Sequence, residues 1–367
     1  MSRTPVRTAL VGCGKVGRIH AQALRSLEDS DFVAACDPDP ARAAAFGEEF
    51  GVAPFADLRE LLRSSRVEAV FLCTPHPQHA KPTILAAEAG AHVLVEKPMA
   101  ASVDDCDDMI AAARRAGVKL GVISQRRWFE PVLRMRRAID AGKVGRPVLG
   151  GFTMYSWRDE AYYRSDPWRG RWDTEGGGVL INQSPHMLDL LLWLMGDIVA
   201  EVSAYWSNLN HPYVEVEDTV VASLRFARGG LGSIVSSLSQ KPGLHTKVHI
   251  HGETGASIGV ETDRGPTFIA GMTPIAEPPR NDVWTIPGEE DALARYEAED
   301  VAQFAAIDPI LHYHRLQIAD FLRAILDDRP PAVTAEEGRR VVALIDAIYR
   351  SGREGKPVRP LRVPGGR

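Results

Sequence analysis

The stretch Val11-Gly12-Cys13-Gly14-Lys15-Val16-Gly17 is a complete GxGxxG pattern. It follows the apolar run 8–11, which predicts a strand, and it opens a predicted helix over 17–27. In this setting the first glycine makes a tight turn, the second lets the backbone approach a pyrophosphate, and the third allows close helix–strand packing. The helix N-terminus adds N–H donors for the same anion. The stretch therefore predicts a Rossmann-type fold that binds a dinucleotide.

A carboxylate at the end of the next strand bears on which dinucleotide is bound. The apolar run 32–36 ends at Asp37, 20 residues after Gly17. This spacing suits a carboxylate that accepts hydrogen bonds from the adenosine ribose and repels a 2′-phosphate, which favours NAD over NADP. Arg42 is the nearest arginine and argues the other way. FAD and S-adenosylmethionine remain alternative ligands for the turn taken alone.

The rest of the chain indicates two domains. Up to residue 125, short apolar runs alternate with helical segments, which is typical of a doubly wound parallel sheet. Beyond it, β-branched and aromatic runs joined by Gly-rich turns indicate a mostly antiparallel sheet. We therefore predict a Rossmann domain over 1–125 and an α+β domain over 126–367, with the C-terminal helix packing back on the Rossmann domain. We also predict one helix over 178–194, and a long excursion over 262–305, which is rich in Pro, Asp and Glu.

The composition and charge of the chain limit the classes of partner that it is expected to bind. The chain has 367 residues, of which 45% are hydrophobic, and a formal net charge of −5, which gives no basic bias toward nucleic acid. No apolar run approaches the roughly 18 residues of a membrane span, and we expect a cytoplasmic protein. Three histidines, His245, His249 and His251, share a strand face with Lys247. The lysine argues against a metal, and we predict no metal site.

Four stretches together resemble the Gfo/Idh/MocA family, the glucose–fructose oxidoreductase and inositol dehydrogenase group. They are the run from Gly12 to His20, Cys73-Thr74-Pro75 with His79, Glu96-Lys97-Pro98, and Gly176 to Asp189. The resemblance spans nearly the whole chain. It implies a C-terminal domain with a large open sheet that often forms the interface of a homo-oligomer, dimer or tetramer. It also implies NAD(P)-dependent hydride transfer at a secondary hydroxyl of a sugar, glycoside or cyclitol.

Lys97 and His186 are the predicted proton-handling residues. The stretch Glu96-Lys97-Pro98 follows an apolar strand directly, and Lys97 can there donate hydrogen bonds to a substrate hydroxyl and to the cofactor ribose. Histidine has a pKa suited to a general base, and we assign that role to His186. Asp189, three residues on, could orient His186 or could interact with solvent.

Asn182 departs from the family's best-known pattern, in which an aspartate occupies this position. An amide cannot accept a proton, although it can orient a substrate or His186. We predict that Asn182 and His186, four residues apart on one helix, share a face.

The resemblance and the local chemistry together define the predicted site. The predicted catalytic residues are Lys97, His186 and Asn182. The predicted cofactor-binding residues are Gly12, Gly14, Lys15, Val16, Gly17, Asp37, Thr74, Pro75, His79, Glu96, Lys97 and Gln125. The predicted substrate-binding residues are Lys97, Arg127, Tyr163, Trp168, Arg169, Asn182 and His186.

Two other functions remain open at this stage. Some relatives hold NAD tightly and use transient oxidation to drive glycosidic cleavage or epimerisation. A dinucleotide-binding sensor without catalysis is a further possibility, although the presence of Lys97 and His186 argues against it.

Overall fold

The computed structural model describes residues 4–264 and 277–362. The chain divides into two compact units. The first contains the residues up to Gln125 together with Ile310–Arg340, and the second contains Arg126–Pro309 and Val341–Arg362. The residues 310–340, placed by the sequence in the second domain, thus belong to the first unit. The physical reason is an apolar helix face, on which Ile318 and Phe321 are buried in the core with Phe71.

The first unit is built on a six-stranded parallel sheet. Its strands are β1 (Val6–Val11), β2 (Ser30–Cys36), β3 (Ala53–Phe55), β4 (Ala69–Leu72), β5 (His92–Val95) and β6 (Leu120–Val122). The helices between them are α1 (Lys15–Arg25), α2 (Pro40–Phe50), α3 (Leu58–Ser64), α4 (Ala80–Glu88) and α5 (Val103–Ala116). The strand order is β3-β2-β1-β4-β5-β6. Because every pairing is parallel, the carboxyl ends of β1, β4 and β5 meet at one edge.

The second unit is built on a seven-stranded sheet. Its strands are β7 (Pro147–Tyr155), β8 (Val199–Ser207), β9 (Thr219–Phe226), β10 (Leu231–Ser237), β11 (His245–Gly252), β12 (Ser257–Arg264) and β13 (Arg280–Trp284). The order is β13-β12-β11-β7-β10-β9-β8, and the β7–β10 pairing is parallel while the others are antiparallel. The predicted pair of sheets is confirmed.

Helices complete the two units. Those within 126–309 are α6 (Glu130–Asp140), α7 (Glu160–Arg164), α8 (Pro185–Met195) and α9 (Ala292–Ala305). They are followed by α10 (Pro309–Leu326) and α11 (Ala335–Glu354). A capping box begins α11, in which Thr334 Oγ1 accepts from the Glu337 N–H and Glu337 accepts from the Thr334 N–H. No helix within the described residues is long and apolar enough to cross a membrane.

Two predicted elements are wrong. The helix expected over 178–194 is instead a π-helical turn, Val179–Gln183, followed by α8. Pro185 stands in the first turn of α8 and has no N–H to continue a helix through Ser184, so the two segments are separate. The stretch 262–305 is not one excursion, since it contains the end of β12, all of β13 and all of α9; its residues 265–276 lie outside the described residues.

Candidate active site

The glycine turn follows β1 and begins α1, as the sequence predicts. Gly12 has a φ of +98°, and a Cβ there would lie 2.7 Å from the Cys73 carbonyl carbon. A Cβ on Gly17 would lie 2.1 Å from the Gly12 oxygen, so both positions require glycine. A Cβ on Gly14, by contrast, would meet nothing within 4 Å, and no side chain caps α1. The turn therefore offers N–H donors and open space, which fits the pyrophosphate of a dinucleotide.

Asp37 lies at the end of β2 and supports the same turn. Its carboxylate accepts from the Cys13 N–H at 3.0 Å and from the Asp39 N–H at 3.0 Å. Arg42 donates to both oxygens, at 3.3 and 3.4 Å, although its own side chain is half exposed. Arg42, whose presence in the sequence favours NADP, is therefore in contact with Asp37, whose presence favours NAD.

The segments after β4 and β5 are joined by His79. Its Nε2 lies 2.8 Å from the Thr74 carbonyl oxygen, and its Nδ1 lies 3.0 Å from the Pro98 carbonyl oxygen. Burial lowers the pKa of His79, and these backbone hydrogen bonds oppose the shift. The Lys97–Pro98 peptide is cis. His79 thus links the Thr74-Pro75 turn to the segment that carries Lys97.

Further predicted cofactor residues lie in the first unit. Lys15 is exposed, while Val16, Pro75 and Lys97 are half-buried. Thr74 Oγ1 and Gln125 Oε1 are buried and make no hydrogen bond with any described residue. Such orphaned polar atoms fit a site that a polar ligand completes.

Glu96 belongs to a buried cluster that sequence reasoning missed. His20 of α1 lies with its Nε2 2.8 Å from Glu96 Oε1, and the Lys97 N–H donates to Oε2 at 3.1 Å. The His314 ring lies 5.7 Å from that of His20. Burial alone would raise the pKa of Glu96, but the hydrogen bond from His20 and the charges of His20, His314 and Lys97 outweigh it and bring the pKa to about 2. Glu96 is therefore an anion that holds the Lys97 backbone.

The run Gly176-Gly177-Gly178 lies in the second unit, and two of its glycines are required because other residues pack directly against their backbone. A Cβ on Gly177 would lie 2.0 Å from Tyr349 Oη, and one on Gly178 would lie 1.9 Å from the Glu217 carbonyl oxygen. The buried Glu217 carboxyl accepts from the Gly178 N–H at 2.8 Å, the Leu180 N–H at 3.0 Å and Tyr349 Oη at 2.9 Å. Burial raises the pKa of Glu217 to about 7, against the effect of these hydrogen bonds. This arrangement supports the π-helical turn that carries Asn182.

Asn182 lies in a polar cluster around Tyr162. Its Nδ2 donates to Glu175 Oε1 and, at 3.3 Å, to Tyr162 Oη. Gln183 Nε2 donates to the same phenol oxygen at 2.8 Å, and Arg169 Nη1 donates to it at 2.5 Å. The structure thus brings together the predicted residues Asn182 and Arg169. Tyr162, Glu175 and Gln183 were not predicted from the sequence; Gln183 lies in the stretch from Gly176 to Asp189, whereas Tyr162 and Glu175 lie outside it.

Of the two roles considered for Asp189 from the sequence, the structure excludes one, and the orientation of His186 stays a prediction. Asp189 is 5% exposed, which excludes an interaction mainly with solvent. Arg127 donates to both of its oxygens, at 2.8 and 2.6 Å, and the guanidinium lies 4.9 Å from the Trp193 ring centroid. Because the pair is buried and bidentate, it fixes α8, which also carries the buried His186. Contact of Arg127 with a substrate stays a prediction.

The segment from Tyr162 to Trp172, which is rich in aromatic residues and precedes Gly176, is packed within the second unit. The Arg169 guanidinium lies 4.4 Å from both the Tyr162 and the Trp168 ring centroids. Tyr163 is 6% exposed and packs against the rings of Tyr162, His211 and Tyr213. Trp168 and Arg169 therefore lie beside Asn182's cluster. Tyr163 is part of an aromatic cluster, and its binding role stays a prediction.

The histidine-rich strand face of β11 forms local polar contacts. His249 Nε2 lies 2.9 Å from Asp282 Oδ2, and Lys247 lies 3.1 Å from the same oxygen. His251 Nδ1 lies 2.7 Å from Ser257 Oγ, and the His245 ring packs edge-on against Tyr155. The lysine is thus paired with the same carboxylate as the central histidine.

Comparison with known proteins identifies the family. The family described as the oxidoreductase family with an NAD-binding Rossmann fold matches residues 6–124, and its C-terminal domain matches residues 132–258. A 1,5-anhydro-D-fructose reductase from Ensifer adhaerens is 30% identical over 257 residues, covering 69% of this chain and 75% of that protein. The chain belongs to the Gfo/Idh/MocA oxidoreductase family.

Other members of the family match over the full length. The myo-inositol 2-dehydrogenase of Thermotoga maritima is 26% identical, covering 98% of this chain and 100% of that protein. The WlbA dehydrogenase from Bordetella pertussis, solved in complex with NADH and UDP-GlcNAcA, is 31% identical with a TM-score of 0.82. That comparison covers 98% of this chain and 99% of WlbA. The chain is accordingly an oxidoreductase with an NAD-binding fold, in a group that contains sugar and inositol dehydrogenases.

Proposed function

We propose that this protein is an NAD-dependent dehydrogenase that oxidises a secondary hydroxyl of a sugar, glycoside or cyclitol. The observation that carries the proposal is the shared sheet edge, where β1 leads into the glycine turn and β5 leads into Lys97. In open α/β sheets ligands bind at this edge. A polyhydroxylated substrate is supported by the names of two relatives, a myo-inositol 2-dehydrogenase and a 1,5-anhydro-D-fructose reductase, and by the complex of WlbA with UDP-GlcNAcA.

The proposed chemistry divides between two side chains. Bound NAD supplies the hydride acceptor. Lys97 donates a hydrogen bond to the substrate hydroxyl, and its positive charge lowers the pKa of that hydroxyl. His186 accepts the hydroxyl proton as general base. Glu96 and His79 hold the Lys97 segment from within the first unit, and the Arg127–Asp189 pair holds α8, on which His186 lies.

We propose NAD rather than NADP on the strength of Asp37. Its carboxylate is 3% exposed and already accepts two backbone N–H groups, which fixes its position at the end of β2. A ribose diol can donate to such a carboxylate, whereas a 2′-phosphate would be repelled. Arg42 on the same carboxylate tempers the repulsion, so the preference for NAD is expected to be moderate.

We also propose that the protein is a homo-oligomer, through the open face of the seven-stranded sheet. Leu149, Tyr205, Val221 and Leu231 are 46–79% exposed there. Leu231 pairs with Leu149, and Val221 pairs with Tyr205, so the apolar side chains are adjacent across strands. Light scattering should give a mass at least twice 40.1 kDa, and Tyr205→Glu should shift it toward the monomer. A monomer at all concentrations would contradict this part of the proposal.

Steady-state kinetics test the reaction. NADH formation is measured across a panel of cyclitols, aldoses, glycosides and UDP-sugars, for the wild type, Lys97→Ala and His186→Ala. Loss of the base should lower kcat about 10²–10⁴-fold. The exposed Lys81→Ala serves as the matched lysine control and should retain the wild-type rate. Near-normal turnover by both variants would refute the assignment, and sugar release without net NADH would support redox-assisted cleavage instead.

A further inference from the structure

Glu175 is a buried carboxylate with both oxygens in use. It is 1% exposed, its Oε2 accepts the Gly170 N–H at 2.5 Å, and its Oε1 accepts from Asn182 Nδ2. Gly170 has a φ of +76°, so the loop turns sharply where its N–H meets the carboxylate. The two hydrogen bonds tie the loop at Gly170 to the π-helical turn at Asn182.

The hydrogen bonds fix which way the Asn182 amide points. Only the amide nitrogen can donate to a carboxylate, so Nδ2 must face Glu175, and Oδ1 lies on the opposite side of the amide. The second donation from Nδ2, to Tyr162 Oη, fixes the plane of the amide further. An aspartate at position 182 would instead place two carboxylates in contact, and one of them would have to be protonated.

We propose that Glu175 is a positioning residue for the oxidation reaction, and that it acts by locking Asn182 as a hydrogen-bond acceptor for a substrate hydroxyl. This inference rests on the proposed dehydrogenase function. Glu175 and Asn182 form a matched pair, because the carboxylate requires a donor at position 182. The pair therefore explains why this chain carries an amide at position 182.

The surroundings of the pair set its pH behaviour. Glu175 interacts electrostatically with the phenols of Tyr162, Tyr163 and Tyr349. Burial raises the pKa of all three phenols, so they stay neutral over the working range. Arg169 donates to Tyr162 and pairs with Asp166, and the Arg158 guanidinium lies 5.5 Å from the Tyr162 ring centroid. Glu217 also acts on Tyr163 and Tyr349 and has a pKa of about 7, so the pH profile of each variant is compared with that of the wild type.

A polarity swap tests the pair. Glu175→Gln alone removes one of the two carboxylate oxygens that accept hydrogen bonds at position 175. Asn182→Asp alone places a second carboxylate in contact with that of Glu175. Each should lower kcat about 10- to 100-fold, as expected for lost hydrogen bonds to a buried charge. In the double variant, the amide at position 175 can accept from the Gly170 N–H through its oxygen and donate through its nitrogen to the carboxylate at position 182. The double variant should therefore recover at least about tenfold of the activity lost in Asn182→Asp.

The readouts separate a positioning role from a structural one. Asn182→Asp should regain activity as the pH is lowered, because protonation of one carboxylate restores a donor, and the double variant should lose this dependence. The exposed Glu215→Gln is the matched control and should keep the wild-type kcat. NAD affinity should be unchanged in every variant.

Two results would overturn the inference: a double variant no more active than Asn182→Asp, or a Glu175→Gln enzyme with the wild-type kcat and pH profile. Failure of the proposed function is distinguishable, because it would appear as normal turnover in His186→Ala. If His186→Ala were inactive and the double variant did not rescue Asn182→Asp, the dehydrogenase function would be supported and the positioning role of Glu175 would be refuted.

Discussion

Two buried glutamates, one in each unit, support the segments that carry the predicted site residues, and their pKa values are displaced in opposite directions. Glu96 accepts the Lys97 N–H, and Glu217 accepts the N–H groups of Gly178 and Leu180. The pKa of Glu96 is about 2, whereas that of Glu217 is about 7.

The difference between the two pKa values arises from the groups that surround each carboxyl. Glu96 has His20 at 2.8 Å, with His314 and Lys97 nearby, whereas Glu217 has a phenol and two peptide N–H groups. Amide and phenol donors do not offset the burial of Glu217, while histidine and lysine charges offset that of Glu96. Burial alone therefore does not decide whether a supporting carboxylate is charged; an adjacent cation does.

The strongest perturbation breaks the Glu217 support by sterics. In Gly178→Ala the new Cβ would lie 1.9 Å from the Glu217 backbone oxygen, so the π-helical turn must shift. We expect a loss of unfolding free energy above about 3 kcal/mol, measured by urea denaturation. The control is Gly14→Ala, where a Cβ meets nothing within 4 Å, and its cost should stay below about 1 kcal/mol. Equal stability of the two variants would contradict the close packing of Gly178 against Glu217.

The second effect is the pH dependence of the unfolding free energy, which reports the two pKa shifts. The folded-state pKa of Glu96 is below its ordinary value of 4.5, so its contribution is complete above about pH 4.5 and is lost as the pH falls toward 2. The folded-state pKa of Glu217 is above 4.5, so its contribution is complete below about pH 4.5 and is lost as the pH rises to about 7. Each shift corresponds to about 3 kcal/mol in unfolding free energy, with opposite slopes.

Urea unfolding across this pH range measures both slopes. Glu96→Gln should flatten the loss of stability below pH 4.5, and Glu217→Gln should flatten the loss between about pH 4.5 and 7. A wild-type slope that persists unchanged in the corresponding variant would refute the pKa shift assigned to that glutamate.

A smaller effect follows from removing the phenol. Tyr349→Phe deletes the hydrogen bond to Glu217 Oε1 and leaves the ring in place, which should cost about 1–2 kcal/mol of unfolding free energy. The carboxyl should then titrate at still higher pH, since one stabilising donor is gone. If Tyr349→Phe left the unfolding free energy unchanged, the phenol donor would contribute nothing to stability.

The weakest effect concerns a third buried carboxylate, Asp37, which is paired with the exposed Arg42. Arg42→Ala should leave kcat/KM with NAD within about twofold, since surface ion pairs contribute little. The same variant should lower kcat/KM with NADP several-fold, because the cation that offsets Asp37 is gone. Kinetics with both cofactors measure the ratio, and a rise in NADP use would reverse the assigned role of Arg42.

The sequence predicted the fold wherever local chemistry decides structure. The glycine turn and the parallel strands each follow from a pattern a few residues long, and both are present. It missed the elements of the first unit between β2 and β4. There α2 begins at Pro40 after an Asp39 cap, and β3 has only three residues with Pro54 among them, so neither shows a clear period. The helix α9 was missed because acidic composition was interpreted as loop.

The site was predictable in part for the same reason. Lys97, His186 and Asn182 lie in motifs, and motifs are local. The groups that hold them come from far along the chain: Asp189 pairs with Arg127 across 62 residues, and Glu96 with His20 across 76. Glu217 and Tyr349 meet across 132 residues. One sequence carries no signal for such pairs, because burial and mutual contact arise only when the chain is folded.

The proposed function depends above all on hydride transfer between a substrate carbon and the nicotinamide. An isotope experiment follows that hydride, using the best substrate of the kinetic panel, deuterated at the carbon that is oxidised, in a single turnover with NAD in normal water. Mass spectrometry of the reduced cofactor then reports where the label goes. We expect one deuterium in the NADH formed, and none in His186→Ala over the same time. Unlabelled NADH, with the deuterium found in the solvent, would contradict the proposed hydride transfer.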